Sequence, residues 1–131
     1  MKCMVDTSAF LAVALDEPEK AWLVEATKGC VLAAPAVLPY EIGNALSAMV
    51  KRKSILASEA AAVWDTIARI PIELTDFDVK AALLLAARCG LYAYDAYYLQ
   101  CAMVTRCPLL TLDRGMKHTA RELHITLLEQ A

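Results

Sequence analysis

The sequence predicts an α/β protein built on a parallel sheet that is covered by helices. Short runs that are almost wholly apolar alternate along the chain with longer segments of helical periodicity. A strand buried on both faces has no polar side, so uniform apolar runs are typical of parallel sheets. The five predicted strands are 3–5, 30–34, 70–74, 109–112 and 124–128. A length of 131 residues suits one domain, residues 1–131, with one core.

The first predicted strand ends at Asp6 and leads directly into a helix. Thr7 or Ser8 can cap that helix, and residues 9–15 are apolar on every side, which predicts burial. In an open parallel sheet, ligands bind at the carboxyl ends of the strands. Asp6 is therefore the first candidate site residue.

The remaining helices carry two further polar candidates. Glu41 lies in the first turn of helix 39–53, where the helix dipole favours an anion, and Asn44 follows one turn later on the same flank. Ser58 and Thr75 are the predicted caps of two later helices. The other predicted helices are 18–28, 92–104 and 116–122.

Two more acids begin or end predicted elements. Asp113 ends the fourth strand, and it shares a crevice with Asp6 if the first and fourth strands are neighbours. Taken singly, such acids have ordinary explanations as caps, turn residues or first-turn charges. Asp95 differs because it opens an almost wholly apolar helix, where a charge is costly unless it is paired. Spacing alone does not place Asp95 relative to the other acids.

Four converging carboxylates require a counter-charge. Two carboxylates about 4 Å apart repel by roughly 1–4 kcal/mol, depending on the local dielectric constant. Oxygen ligands without cysteine or histidine suit Mg²⁺ or Mn²⁺ rather than Zn²⁺. Two such ions roughly 3.5–4 Å apart can activate water and stabilise the leaving oxygen of a phosphodiester.

Composition limits the other possibilities. The net charge of −2 differs from the basic balance of a general nucleic-acid binder, so metal ions or a local basic patch must offset phosphates. No export signal and no run of about 20 apolar residues is present, which predicts a cytoplasmic protein with no membrane partner. The five cysteines are scattered and are expected to be reduced thiols.

Four short motifs together resemble those of a known family. They are Val5-Asp6-Thr7-Ser8-Ala9, Pro39-Tyr40-Glu41 with Asn44-Ala45-Leu46, Tyr94-Asp95-Ala96-Tyr97, and Thr111-Leu112-Asp113-Arg114. In order and spacing they resemble the PIN-domain ribonucleases, most closely the VapC-type toxins of prokaryotic toxin–antitoxin pairs. The resemblance implies a three-layer fold with a five-stranded parallel sheet of order 3-2-1-4-5. This order makes the first and fourth strands neighbours and brings Asp95 to the other acids.

The resemblance also implies a reaction and a set of residues. It implies Mg²⁺- or Mn²⁺-dependent endoribonuclease activity that leaves 3′-hydroxyl and 5′-phosphate ends. The metal-binding, catalytic acids would be Asp6, Glu41, Asp95 and Asp113. The supporting or substrate-binding residues would be Thr7, Ser8, Asn44, Thr111 and Arg114. The basic residues Arg114, Lys117, His118 and Arg121 would hold the RNA backbone or form a solvated helix face, and both interpretations stay open.

Other classes fit less well. A haloacid-dehalogenase-like phosphatase requires a second aspartate two residues after the first, where this chain has Ser8. A receiver domain requires a lysine after a late strand, where this chain has Asp113. The main alternative is a PIN-fold RNA- or protein-binding module without turnover.

The apolar content predicts protein partners. It is 59%, against the usual ~45–50%. A homodimer formed through helices 18–28, 39–53 and 58–69 is expected. The resemblance adds a cognate small antitoxin protein as an inhibitory partner.

Overall fold

A parallel sheet flanked by helices forms the centre of the computed structural model, which describes residues 1–130. The elements are β1 (Lys2–Val5), α1 (Thr7–Ala14), α2 (Lys20–Ala26), β2 (Val31–Pro35), α3 (Leu38–Lys51), α4 (Ala57–Ala68), β3 (Ile72–Thr75), α5 (Val79–Cys89), α6 (Ala93–Thr105), β4 (Leu109–Leu110) and α7 (Arg114–Glu122). The predicted α/β class is confirmed. Within the described chain no helix has both the length and the apolar character needed to cross a bilayer.

The sheet has the strand order β3-β2-β1-β4, with every pair parallel. In the register, Met4 of β1 lies opposite Ala33 of β2 and Leu109 of β4. The three are fully buried, as the uniform apolar runs predicted. The expected adjacency of the first and fourth strands is therefore confirmed, and the carboxyl ends of β1 and β4 lie side by side.

The fifth predicted strand, 124–128, is reduced to a single parallel bridge between Leu127 and Leu109. The Leu109 amide donates to the Thr126 carbonyl at 2.8 Å, and the Leu128 amide donates to the Leu109 carbonyl at 3.0 Å. His124 has a left-handed φ of 59°, so the extended backbone cannot begin there. The segment keeps the expected place beyond β4, but the described sheet has four strands rather than five.

The fourth strand is also shorter than the predicted 109–112. Its regular pairing ends at Leu110. The next two backbone amides donate to side-chain hydroxyls rather than to a neighbouring strand. The Leu112 amide donates to Ser8 Oγ and the Asp113 amide donates to Thr111 Oγ1, each at 3.0 Å. These bonds end the strand and hold the loop that follows it against the start of α1.

The helix caps differ from the sequence prediction in three places. Asp6, not Thr7 or Ser8, is the N-cap of α1. Helix α4 begins at Ala57 rather than at a Ser58 cap. Thr75 belongs to β3, and Asp78 caps α5 by accepting the Ala81 amide at 3.1 Å. A carboxylate cap accepts from the exposed amides of a first turn as well as a hydroxyl does, so residue type alone did not separate these candidates.

Candidate active site

The acidic cluster consists of Asp6, Glu41, Asp95 and Asp113, and each begins a helix. Asp6 and Asp113 are the N-caps of α1 and α7, directly after β1 and β4. Glu41 and Asp95 lie in the first turns of α3 and α6. The ordinary explanation of a cap or first-turn charge is thus correct for each acid taken singly. These separate roles do not explain why all four acids lie in one cluster, and the contacts of each acid bear on that question.

Asp6 is the deepest member of the cluster, with 4% of its surface exposed. Ser8 Oγ donates to Asp6 Oδ1 and Thr111 Oγ1 donates to Asp6 Oδ2, both at 2.6 Å. The Ala9 amide also donates to Oδ1, at 3.3 Å. Burial raises the pKa of Asp6, these three hydrogen bonds oppose that rise, and the charge of Asp113 adds to it.

Ser8 and Thr111 each link Asp6 to the loop after β4. Both hydroxyls donate to the Asp6 carboxylate, and both accept a backbone amide from residues 112 or 113. Asp113 in turn accepts the Met116 amide at 2.8 Å, which fixes it at the start of α7. The two hydroxyls therefore fix the position of Asp113 relative to Asp6.

Glu41 is held by a second chain of hydroxyl groups. Thr7 Oγ1 donates to Glu41 Oε2 and lies 3.1 Å from the Tyr98 hydroxyl. Because the single Thr7 proton goes to the carboxylate, the buried Tyr98 hydroxyl donates to Thr7. Burial and the charge of Glu41 raise the pKa of Tyr98, which keeps that donor protonated.

The second oxygen of Glu41 is left without a partner. Oε1 is buried and accepts no hydrogen bond from any residue in 1–130. Burial raises the pKa of Glu41, the hydroxyls of Thr7 and Tyr98 lower it, and the charges of Asp6 and Asp95 raise it again. Buried carboxylate oxygens are normally satisfied, so this buried oxygen without a partner is unusual.

Electrostatic coupling links the four acids in pairs. The pKa of Asp95 is raised by burial and then by the charge of Asp113, as that of Asp6 is raised by Asp113 and that of Glu41 by Asp6 and Asp95. No member forms an ion pair within the described residues. The four side chains differ in solvent exposure. Asp113 is exposed, Glu41 and Asp95 are half-buried, and Asp6 is buried. These charge couplings link the four predicted acids to one another.

The donor set fits a hard divalent cation. It contains carboxylate and hydroxyl oxygens but no sulfur or imidazole, and it includes the orphan Glu41 Oε1. Magnesium and manganese prefer such oxygen ligands. Across residues 1–130 no three acidic, histidine or cysteine side chains are already grouped as a complete ligand set. The cluster is therefore an open arrangement of mutually repelling acids.

The other predicted site residues divide into two groups. Thr7, Ser8 and Thr111 contact the acids directly. Asn44 and Arg114 are exposed, and neither side chain has a hydrogen bond to the acids in the part of the chain described. His118 Nε2 lies 2.8 Å from Glu122 Oε1 and Arg121 pairs with Glu129, so two of the four predicted phosphate ligands are engaged elsewhere.

Sequence reasoning missed Tyr98. Its neighbour Tyr97 stood in the quoted motif, but the Tyr97 ring packs against Phe77 at a centroid distance of 4.4 Å. Tyr98 is one of the largest fully buried side chains and carries the hydroxyl that supports Thr7. A tyrosine within an apolar helix was the available signal, since a buried phenol normally has a hydrogen-bond partner.

The fold and the site define an α/β protein with an oxygen-lined acidic site at the carboxyl edge of a parallel sheet. The PIN domain family matches residues 3–122 of the chain. This match covers most of the sequence, and the chain belongs to the PIN domain family. The family resemblance inferred from the four motifs is confirmed.

Two solved structures share the fold. PAE2754 from Pyrobaculum aerophilum superimposes with a TM-score of 0.69 at 23% identity, covering 88% of this chain and 77% of that chain. VapBC2 from Rickettsia felis, solved bound to a DNA fragment from their promoter, superimposes with a TM-score of 0.68 at 16% identity and 98% coverage of both chains. No curated protein matches the chain by sequence.

Proposed function

We propose that this chain is a Mg²⁺- or Mn²⁺-dependent endoribonuclease and the cytoplasmic toxin of a type II toxin–antitoxin pair. Membership of the PIN domain family and the VapBC2 structural likeness support this class of function. The observation that carries the proposal is the unpaired, buried Glu41 Oε1 beside three other carboxylates. A bound cation would satisfy this oxygen and offset the repulsion among the carboxylates.

The four acids are the proposed metal ligands. Asp6, Glu41, Asp95 and Asp113 would hold the metal. A bound divalent cation supplies Lewis acidity for attack by water on a phosphodiester and stabilises the leaving oxygen.

The surrounding hydroxyls position those acids. Ser8 and Thr111 orient Asp6 through charge-assisted bonds of 2.6 Å, and they favour its ionised form. Thr7, supported by Tyr98, orients Glu41 so that Oε1 stays free. The exposed guanidinium of Arg114, which follows Asp113, can contact a phosphate of the substrate.

The proposed partner is an antitoxin protein. The Rickettsia structure is VapBC2 bound to a DNA fragment from their promoter, and we extend a cognate antitoxin to this chain from that likeness. An antitoxin that inserts a basic side chain among the acids would replace the metal charge and stop cleavage. No membrane partner is part of the proposal.

Metal-dependent RNA cleavage tests the function. Purified protein is incubated with labelled RNA in Mn²⁺, Mg²⁺ or EDTA, and cut ends are sequenced. Charge-removing variants that keep side-chain shape should lose cleavage while retaining the fold: Asp6→Asn, Glu41→Gln, Asp95→Asn and Asp113→Asn. Asp65→Asn, an exposed acid of α4 outside the cluster, is the matched control and should cut at the wild-type rate.

Two results would contradict the proposal. Wild-type cleavage by folded Asp6→Asn would exclude the acidic cluster as the active site. Absence of metal-dependent cleavage in the wild type, with RNA or protein binding retained, would favour the PIN-fold binding module without turnover.

A further inference from the structure

A cavity of about 490 Å³ lies at the amino ends of β1 and β4, the edge of the sheet opposite to the acidic cluster. Its wall includes Met1, which precedes β1, and Cys107 and Pro108, which precede β4. The Met4 amide donates to the Pro108 carbonyl at 2.9 Å, which fixes this wall to the sheet. Sites for small molecules usually have volumes of about 300–1,000 Å³, so the cavity can hold such a ligand.

Arg106 and His124 are the basic residues that line this cavity. Both are exposed, and neither forms an ion pair within residues 1–130. No acidic residue of the described chain lines the cavity. Both side chains can donate hydrogen bonds, and the guanidinium carries a fixed positive charge, so the cavity offers unpaired donors to an anion.

The backbone at both residues has a left-handed conformation. The angle φ is 54° at Arg106, the C-cap of α6, and 59° at His124, which follows the C-cap of α7. Glycine adopts this conformation at the lowest cost, as Gly90 does at the end of α5. Within residues 1–130, four residues other than glycine have a positive φ, and two of the four line this one cavity.

The helix dipole offers an alternative explanation for these two residues. A cation near a helix C-terminus is favoured by the dipole, and Lys53, just after α3, has a φ of 62° in the same kind of position. Lys53 is not among the residues that line the cavity. Arg106 and His124 differ from Lys53 because they end two different helices and share one cavity.

Hydrogen bonds hold the backbone around the cavity in place. Directly after the arginine, the Cys107 amide donates to the Ala102 carbonyl at 3.1 Å. The Leu109 amide donates to the Thr126 carbonyl at 2.8 Å and so joins the segment after the histidine to β4. A site whose walls are already fixed loses less conformational freedom when a ligand binds.

The rest of the lining is apolar except for Thr126, whose hydroxyl adds a further polar group. The larger apolar side chains are those of Met103, Leu123 and Ile125. A phosphate accepts hydrogen bonds from guanidinium, imidazole and hydroxyl groups, and apolar side chains hold the uncharged part of a ligand. The lining therefore matches a molecule that has one compact anionic group and an uncharged ring system.

We propose that this cavity binds a small phosphomonoester of the nucleoside monophosphate class. Its phosphate lies between Arg106 and His124, and its sugar and base lie against Met103, Leu123 and Ile125. The site is separate from the acidic cluster and does not depend on the proposed nuclease function.

Isothermal titration calorimetry with adenosine 5′-monophosphate (AMP) tests the site, with the whole chain in buffer free of divalent metal. Arg106→Gly and His124→Gly each remove a donor and relax a left-handed backbone, so both variants should keep the Tm of the wild type or exceed it. Each should weaken AMP binding by about 10- to 150-fold, the usual effect of losing a hydrogen bond to a charged group. Lys53→Gly makes the same change at a left-handed cation outside the cavity, and it should bind AMP like the wild type.

Three smaller probes separate the parts of the ligand. Inorganic phosphate, ribose 5-phosphate and adenosine should each bind more weakly than AMP. Adenosine that binds as tightly as AMP would overturn the role of the two cations. Ribose 5-phosphate that binds as tightly as AMP would overturn the assignment of a nucleoside.

Nuclear magnetic resonance of the backbone amides locates the bound probe. AMP should shift the amide signals of residues 106–108 and 123–126. Shifts centred on Arg114 and Lys117 would place the anion on α7 and overturn the site. AMP binding that is unchanged in Arg106→Gly and His124→Gly, equally weakened in Lys53→Gly, or absent from the wild type would also overturn it. Metal-dependent RNA cleavage is measured separately, so none of these results bears on the proposed nuclease function.

Discussion

Replacing Glu41 with glutamine should make the metal-free protein more stable. Glu41 Oε2 accepts the Thr7 hydroxyl, and a glutamine oxygen can accept the same bond. The other atom, Oε1, is the buried oxygen without a partner, and the substitution replaces it with an uncharged amide nitrogen. Glu41→Gln therefore removes an unsatisfied charge and its repulsion from Asp6 and Asp95, and it keeps the existing hydrogen bond.

The expected gain follows from the cost of a buried, unpaired charge, which the neutral glutamine amide does not carry. That cost is about 1–3 kcal/mol, and partial solvent access to Glu41 places the gain at the lower end, about 1 kcal/mol. For a chain of this size, 1 kcal/mol raises Tm by about 3–5 °C. Most substitutions destabilise, so even the sign of this effect is informative.

The gain should depend on pH. The folded-state pKa of Glu41 is raised above the ordinary value of 4.5. A carboxyl whose pKa is raised by folding stabilises the protein below its unfolded-state pKa, and that stability is lost as pH rises through the folded-state pKa. The advantage of Glu41→Gln should therefore be small near pH 4.5 and grow toward pH 7.

Thermal unfolding in EDTA at several pH values measures the effect. Asp65→Asn is the matched control, since its carboxylate is exposed and lies outside the cluster. Repeating the scans with saturating Mn²⁺ should reverse the order, because the wild type gains stability by binding metal and the variant gains less. A metal-free Glu41→Gln protein that is less stable than the wild type at pH 7 would refute this account of the site.

Three further predictions concern the hydroxyl network and the partners. Thr111→Val keeps the side-chain shape but removes the hydroxyl that donates to the Asp6 carboxylate. It should lower the free energy of unfolding, measured in urea, by about 1.5–3 kcal/mol and should slow RNA cleavage. An unchanged unfolding midpoint would refute the role of this bond. Tyr98→Phe should cost about 0.5–1.5 kcal/mol and lower the affinity for Mn²⁺, whereas the same change at Tyr97 should not alter Mn²⁺ binding. Light scattering at micromolar concentration should show a homodimer, and a monomer would contradict this prediction. A stoichiometric amount of the protein encoded next to this chain should abolish RNA cleavage, and unchanged cleavage would contradict the inhibitory role of that protein.

The positions of Asp6 and Asp113 were accessible to sequence reasoning for a physical reason, whereas the strand order came from the family resemblance. A strand buried on both faces is apolar throughout, so the first acid after it is conspicuous, as Asp6 and Asp113 are. Parallel pairing then brings those two strand ends together. Asp95 begins a helix rather than following a strand, so its place depended on the family resemblance.

The features that sequence reasoning misplaced depend on tertiary contacts. The early end of β4 results from Ser8, a residue more than one hundred positions away, which captures the Leu112 amide. The support of Glu41 by Tyr98 likewise joins residues that are distant in sequence. Contacts between residues so far apart in sequence leave no sign in the periodicity or motifs of either segment.

The expected interface helices keep exposed apolar side chains in part, including Trp64 at 38% exposed. Trp22 and Met49 pack against the core, so part of the apolar surplus fills the interior. Among large apolar side chains, several of the most exposed lie instead on α5 and α6, including Leu83, Leu84 and Val104. A homodimer remains a prediction, and these two helices offer it more apolar surface than Trp22 and Met49 do.

The bond between Thr111 and Asp6 also has a consequence for the order of events during synthesis. It joins residues separated by 105 positions. Closing a loop of that length costs about 4 kcal/mol of chain entropy, which only the assembled sheet can offset. A growing chain therefore cannot complete the acidic cluster until Asp113, which is made long after Asp6, has left the ribosome.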